Sequence, residues 1–166
     1  MAGVTIVFAA QQALDSLLKM EGQLADPTPM LAEMGEELLD IHKKRFADQM
    51  SPDGVPWAPL QPWYKAEKKR NADKVLTLDG YLGNTLRWQI RAGELLFGTD
   101  RPYGAIHHFG GTIKPKTAGA LNVGGRPVKQ VTIPARPWLG VSDSDGKTLV
   151  DIASDHLQKA LKSGAP

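Results

Sequence analysis

Glycine, proline and aromatic residues crowd the stretch from Phe97 to Gly140, and that crowding limits what the chain can build there. The run reads FGT, then PYGAIHHFGG, then a Gly/Lys-rich interval, then IPARPWLG. Glycine opens backbone conformations needed for turns and proline fixes them, so only short helices and strands fit between the breaks. The stretch supplies apolar anchors but no obvious nucleophile with its base. That inventory suits a protein that fits against other proteins better than one that turns over a small-molecule substrate.

At 166 residues the chain is expected to form a single domain over 1–166, with an N-terminal arm at 1–27 and a core at 28–162. A hydrophobic share of 42% is enough for a packed interior. Twenty basic residues against eighteen acidic ones leave a net charge of +2, a weak general attraction to nucleic acid or anionic membranes. There is no cysteine, which removes disulfides and thiolate chemistry. The apolar run Val4–Ala10 lacks a preceding basic region and is too short to span a bilayer, so it reads as a strand or strand-like arm.

Helical spacing governs the first third. Gln11–Leu24 places leucines on one side of a wheel, and Asp26-Pro27-Thr28-Pro29 breaks it. Thr28 is the expected cap of the next helix and Pro29 its first residue. Leu31, Met34, Leu38, Ile41, His42 and Phe46 then recur at i+3 or i+4, predicting a helix of about twenty residues. Gln49–Pro62 carries Pro52-Asp53-Gly54 and further prolines, so it is a loop, pinned by Val55, Trp57, Leu60 and Trp63. Leu86, Trp88 and Ile90 alternate with polar residues, Ala92-Gly93 turns, and Glu94–Gly98 returns, predicting a hairpin.

A short helix is expected over Gly104–Phe109, stopped by Gly110-Gly111. Thr112–Lys114 is expected to pair with Val128–Ile133 around a long, mobile, exposed tip. Asp143-Ser144-Asp145 caps a last helix whose stripe is Leu149, Ile152, Ala153, His156, Leu157, Ala160 and Leu161. Helices, then antiparallel β-hairpins, then a C-terminal helix define an α+β fold.

Chemical motifs are weak. Gly140-x5-Gly146-Lys147-Thr148 is one residue too long for a phosphate-binding loop and lacks its leading strand. Asp143–Gly146 resembles a calcium loop, but Val141 and Ile152 stand where ligands belong. His107 and His108, adjacent on a helix, point about 100° apart and cannot share a metal. No catalytic, cofactor-binding or metal-ligating set is assigned. Lys65, Lys68, Lys69, Arg70 and Lys74 form the one basic cluster, a solvated face or a nucleic-acid contact.

Several separated motifs together resemble one family. Phe46 followed by PDGVPWAPL at 52–60, Leu76–Leu82, Gly98-Thr99, YGAIHHFGG at 103–111 and IPARPWLG at 133–140 appear in order. They resemble the phage virion morphogenesis (tail-completion) proteins of Mu-like and P2-like phages, over about residues 30–160. Gly104, His108 and Trp138 depart from the usual pattern. The resemblance implies a structural protein without a catalytic role or cofactor. Such a protein finishes the tail and helps it join the head, as a ring at the neck of the virion, after assembly in the host cytoplasm. Its implied partners are itself, as a cyclic homo-oligomer, and tail-tube, terminator or head-connector proteins, with a possible DNA-passage contact. The expected contact residues are Trp57, Leu60, Tyr103, Lys114, Lys116, Arg126, Lys129, Arg136 and Trp138. Trp57 and Trp138 serve equally well as filling for the chain's own core.

Overall fold

A computed structural model describes residues 25–164, together with Leu17, Leu18, Glu21 and Gly22. The strand expected at Val4–Ala10 lies outside the described residues, as does most of the helix expected at Gln11–Leu24. The long amphipathic pattern becomes α1, Thr28–Asp48. Its start falls one residue earlier than expected: Pro27 is the cap, and the Asp26 carboxylate accepts the Thr28 N–H at 3.0 Å. Gln49, with a left-handed backbone (φ 60), ends the helix. Its side-chain amide donates to the Phe46 carbonyl and accepts the Val75 N–H, fixing the next turn against α1.

The loop after α1 is irregular, with a single β-bridge between Met50 and Pro56. Two short helices follow, α2 (Pro62–Glu67) and α3 (Tyr81–Asn84). The first hairpin forms as its alternation predicts. Strands β1 (Arg87–Arg91) and β2 (Glu94–Gly98) pair antiparallel, with Trp88 opposite Phe97. Ala92 and Gly93 take positive φ of 50 and 79, the geometry that matches a two-residue turn to twisted strands. The hairpin lies on α1 where Gly35 has no side chain. A Cβ there would stand 2.5 Å from the Trp88 ring, so only glycine admits the indole.

Helix α4 (Gly104–Phe109) leads into β3 (Gly111–Ile113). β3 pairs with β6 (Val131–Ile133), Thr112 facing Thr132. The interval between them differs from the expected mobile tip. It folds into a second hairpin, β4 (Leu121–Val123) with β5 (Arg126–Val128), turning at Gly124-Gly125. Arg126 explains the difference. Its guanidinium bonds Glu67 at 2.6 Å and lies over the Trp63 ring, 5.3 Å from its centre, tying the hairpin to α2.

The chain ends in α5, Asp143–Gly164, which packs along α1. Its cap is Ser142 rather than Asp143. The Ser142 hydroxyl accepts the Asp145 N–H at 3.1 Å and the Asp145 carboxylate accepts the Ser142 N–H at 2.9 Å, a reciprocal capping box. The result is the expected α+β architecture, with three separate two-stranded sheets between its first and last helices. Its core joins Trp57, Leu82, Leu86 and Trp138, with Leu39, Phe46, Val75, Leu76, Phe97 and Leu139 against them.

Candidate functional site

Two segments far apart in sequence are stitched together by polar groups the loops would otherwise leave open. The Trp57 indole donates to the Pro137 carbonyl at 2.8 Å, and the Trp138 indole to the Gly104 carbonyl at 2.9 Å. Arg136 donates to the Ala58 and Pro59 carbonyls at 2.7 and 3.0 Å. Pro56, Pro59 and Pro62 have no N–H to donate, so these side chains supplement the few backbone bonds the 50–63 loop makes around its Met50–Pro56 bridge. Trp57 is 5% exposed, Trp138 3% and Arg136 6%. All three belong to the chain's own interior. For Trp57 and Trp138 this is the core reading of the two that the sequence left open, and Arg136 likewise offers little surface in the folded chain.

A second buried centre holds α1, the 138–142 segment and α5 together. His42 is 1% exposed; its Nδ1–H donates to the Leu38 carbonyl at 2.7 Å, leaving Nε2 as acceptor for Arg45 at 3.0 Å and for the Gly140 N–H at 3.4 Å. Burial pushes the imidazole pKa down to about 4, so it is neutral. Arg45 also donates to the Gly140 carbonyl and to the Asp145 carboxylate, both at 2.8 Å. Burial alone would raise the Asp145 pKa, but the Ser142 bonds and the Arg45 charge outweigh it and hold it low. Arg45 was not among the residues read from the sequence. Its position, seven after Leu38 and three after His42 on the apolar stripe, was the available signal.

Beside the core lies a cleft of about 340 Å³. Leu60 and Tyr64 form one wall, Leu78 and Tyr81 another, and Tyr103 and His107 from α4 a third, with Arg136 and Lys68 also lining it. Tyr64, Leu78, Tyr81 and Tyr103 each remain more than a third exposed. The Lys68 ammonium is spent on the carbonyls of Asn71, Lys74 and Thr77 at 2.5–2.6 Å, which shapes the 68–77 turn. His107 Nδ1 is closed off from solvent and has no hydrogen-bond partner. Burial, and then the nearby Arg136 charge, lower the His107 pKa and keep the ring neutral. Among the described residues no carboxylate bonds that nitrogen. The arrangement offers aromatic faces, a few hydroxyls and no activated nucleophile, which fits the apolar or aromatic side chains of a polypeptide.

The remaining expected contact residues scatter. Lys114, Lys116 and Lys129 are exposed on and just beyond the β3–β6 pair, while Arg126 is committed to Glu67 and Trp63. The basic cluster divides as well. Lys68 is turned inward and Arg70 is paired with Asp79 at 3.0 Å, leaving Lys65, Lys69 and Lys74 open to solvent. His108 accepts the Leu139 N–H at 3.4 Å and packs edge-on against Trp138. Among the described residues no His, Asp and Glu cluster is arranged to hold a metal ion, and no helix is long and apolar enough to cross a membrane.

Fold and cleft together define a small α+β protein with a shaped, aromatic-lined surface. The chain belongs to the phage virion morphogenesis family, whose model matches residues 7–158. It is 27% identical over 158 residues to the putative capsid assembly protein G of Escherichia phage Mu, covering 92% of this chain and 90% of that protein. It is 26% identical over 132 residues to the tail completion protein S of Escherichia phage P2, covering 77% and 82%. The Mu-like prophage FluMu G protein 2 of Haemophilus influenzae is 28% identical over 102 residues, 61% of this chain and 64% of the relative. No solved structure matches at a significant level.

Proposed function

We propose that this chain completes the phage tail and helps join it to the head at the neck, working through subunit–subunit contacts and not through catalysis. The observation that carries the reading is the family match across residues 7–158, which includes a relative named for tail completion and another named for capsid assembly. Its partners are further copies of itself, closing a ring through head-to-tail contacts, and the tail-tube, terminator or head-connector proteins beside it. Leu60 and Tyr103 on the cleft, with Lys114, Lys116 and Lys129 on the hairpin, are the contact residues. The exposed Lys65, Lys69 and Lys74 leave room for a weaker contact with DNA passing the neck, which should fall steeply with added salt.

The test is complementation of a phage or prophage lacking its own copy. Leu60→Asp with Tyr103→Asp should give a folded protein by circular dichroism, while heads and tails accumulate unjoined in electron micrographs. Normal joining and titre with the protein wholly absent would overturn the proposed role. Normal joining with the double variant would move the contact elsewhere on the surface.

A further inference from the structure

Helix α5 carries two apolar stripes, although lying on α1 requires one. The inner stripe is Leu149, Ile152, Ala153, His156 and Ala160; His156 meets Glu33 of α1 at 2.7 Å and Ala160 is buried. The outer stripe is Val150, Leu157 and Leu161, 63%, 47% and 47% exposed, with Ser154 between them. Steps of four, three and four residues are those of a coiled-coil seam. The Ser154 hydroxyl is turned onto the Val150 carbonyl at 2.9 Å, so even the polar member satisfies itself within the helix.

We propose that this outer stripe pairs antiparallel with the same stripe of a second copy of the chain. The pattern is self-complementary about a centre between Asp155 and His156. Turned end for end, it sets Val150 opposite Leu161 and Ser154 opposite Leu157. Charge follows the same symmetry. The exposed Asp151 and Asp155 precede the centre and the exposed Lys159 and Lys162 follow it. An antiparallel copy brings Asp151 of one chain within a turn of Lys162 of the other, while a parallel copy stacks like charge on like. A two-fold contact uses the same patch on both chains, as a stripe of this symmetry requires. It shares no residue with the tyrosine-lined cleft, so it goes beyond the tail-completion reading and its failure leaves that reading intact.

Leu157 also borders a groove of about 700 Å³ with Gly22, Met30 and Ala153, which makes the chain's own residues 1–16 the competing occupant. Analytical ultracentrifugation of the full chain across concentration separates the two. The expected result is a monomer–dimer equilibrium whose dissociation constant rises about tenfold or more in Leu157→Lys, since a charge replaces a leucine that pairing would bury. Asp151→Lys and Lys162→Asp should each weaken the pair, and combining them should restore it. These two positions are solvent-facing, so they test the pairing even if Leu157→Lys disturbs the fold. A strictly monomeric wild type overturns the proposal, as does an oligomer indifferent to all three substitutions. A monomer that pairs only after removal of residues 1–16 assigns the stripe to the chain's own N-terminal segment and equally overturns it.

Discussion

The Arg45 centre and the tyrosine-lined cleft each enclose a histidine held neutral by burial, and they differ in how they treat its nitrogens. Both nitrogens of His42 are engaged, and the arginine beside it reaches a ring nitrogen, a carbonyl and a carboxylate. His107 keeps Nδ1 buried without a partner. A satisfied buried network holds one arrangement, whereas a buried polar group left open costs stability with no return inside the isolated chain. The first region therefore reads as the clasp of the fold. The second keeps a polar atom enclosed and, among the described residues, without a partner.

Breaking the clasp should have the largest effect. Arg45→Met removes the only donor within this centre that reaches the Gly140 carbonyl and the Asp145 carboxylate together, and leaves His42 Nε2 with the weaker Gly140 contact. Removing one partner of a largely buried ion pair costs about 3 kcal/mol or somewhat more. Urea unfolding should show that loss as a lower midpoint with an unchanged slope. A change under about 1 kcal/mol would mean that the methionine packs as well as the network bonds, and the contrast with the cleft would lose its basis.

Acid should act on the same centre with a defined sign. The His42 pKa is about 4 in the folded chain against an ordinary 6.5, so between those values the unfolded chain binds the extra proton. Stability is then full above pH 6.5 and falls as the pH drops toward 4, by roughly 3 kcal/mol at most for this one group. The lowered pKa of His107 adds a loss of the same sign, beginning at the same upper limit. Asp145, held below its ordinary value, contributes stability that persists through this window and disappears only at still lower pH. Stability measured from pH 7 to pH 4 in wild type and His42→Phe separates these contributions: the variant should lose most of the slope. An equally steep decline would move the titrating group away from the clasp.

The two regions were unequally legible in the sequence, for physical reasons. Helical and strand periodicity depends on neighbours a few residues apart, so α1, the β1–β2 hairpin and α5 are visible in their patterns of apolar residues. The Pro-rich loop and the aromatic motifs announced that something was pinned, but not in which direction. Trp57 and Trp138 turn inward because the Pro137 and Gly104 carbonyls await their indole N–H groups, partners 80 and 34 residues away. Likewise Lys68 looked like one more surface cation until the backbone of its own turn closed around it. The folding of the 115–127 interval depended on Arg126 meeting Glu67 and Trp63, a contact spanning 59 residues that no local pattern encodes.

The smallest expected effect is the one that tests the cleft. Leucine is close to histidine in volume, so His107→Leu should keep the wall of the cleft while removing the buried nitrogen that lacks a partner. It gives up an edge-on contact with the Tyr103 ring, centres 6.1 Å apart, worth a few tenths of a kcal/mol up to about 1. Against that stands relief of an unsatisfied buried polar atom, about 1–3 kcal/mol. The balance favours a variant as stable as wild type or up to about 2.5 kcal/mol more so, and one whose stability declines less as the pH falls below 6.5. A denaturation midpoint clearly below that of wild type would show that the nitrogen is already satisfied, by an ordered water for instance, and that the cleft is as settled as the clasp. A stabilised variant that no longer supports particle joining would show the opposite: at this wall, stability of the lone chain has been given up for contact with a partner.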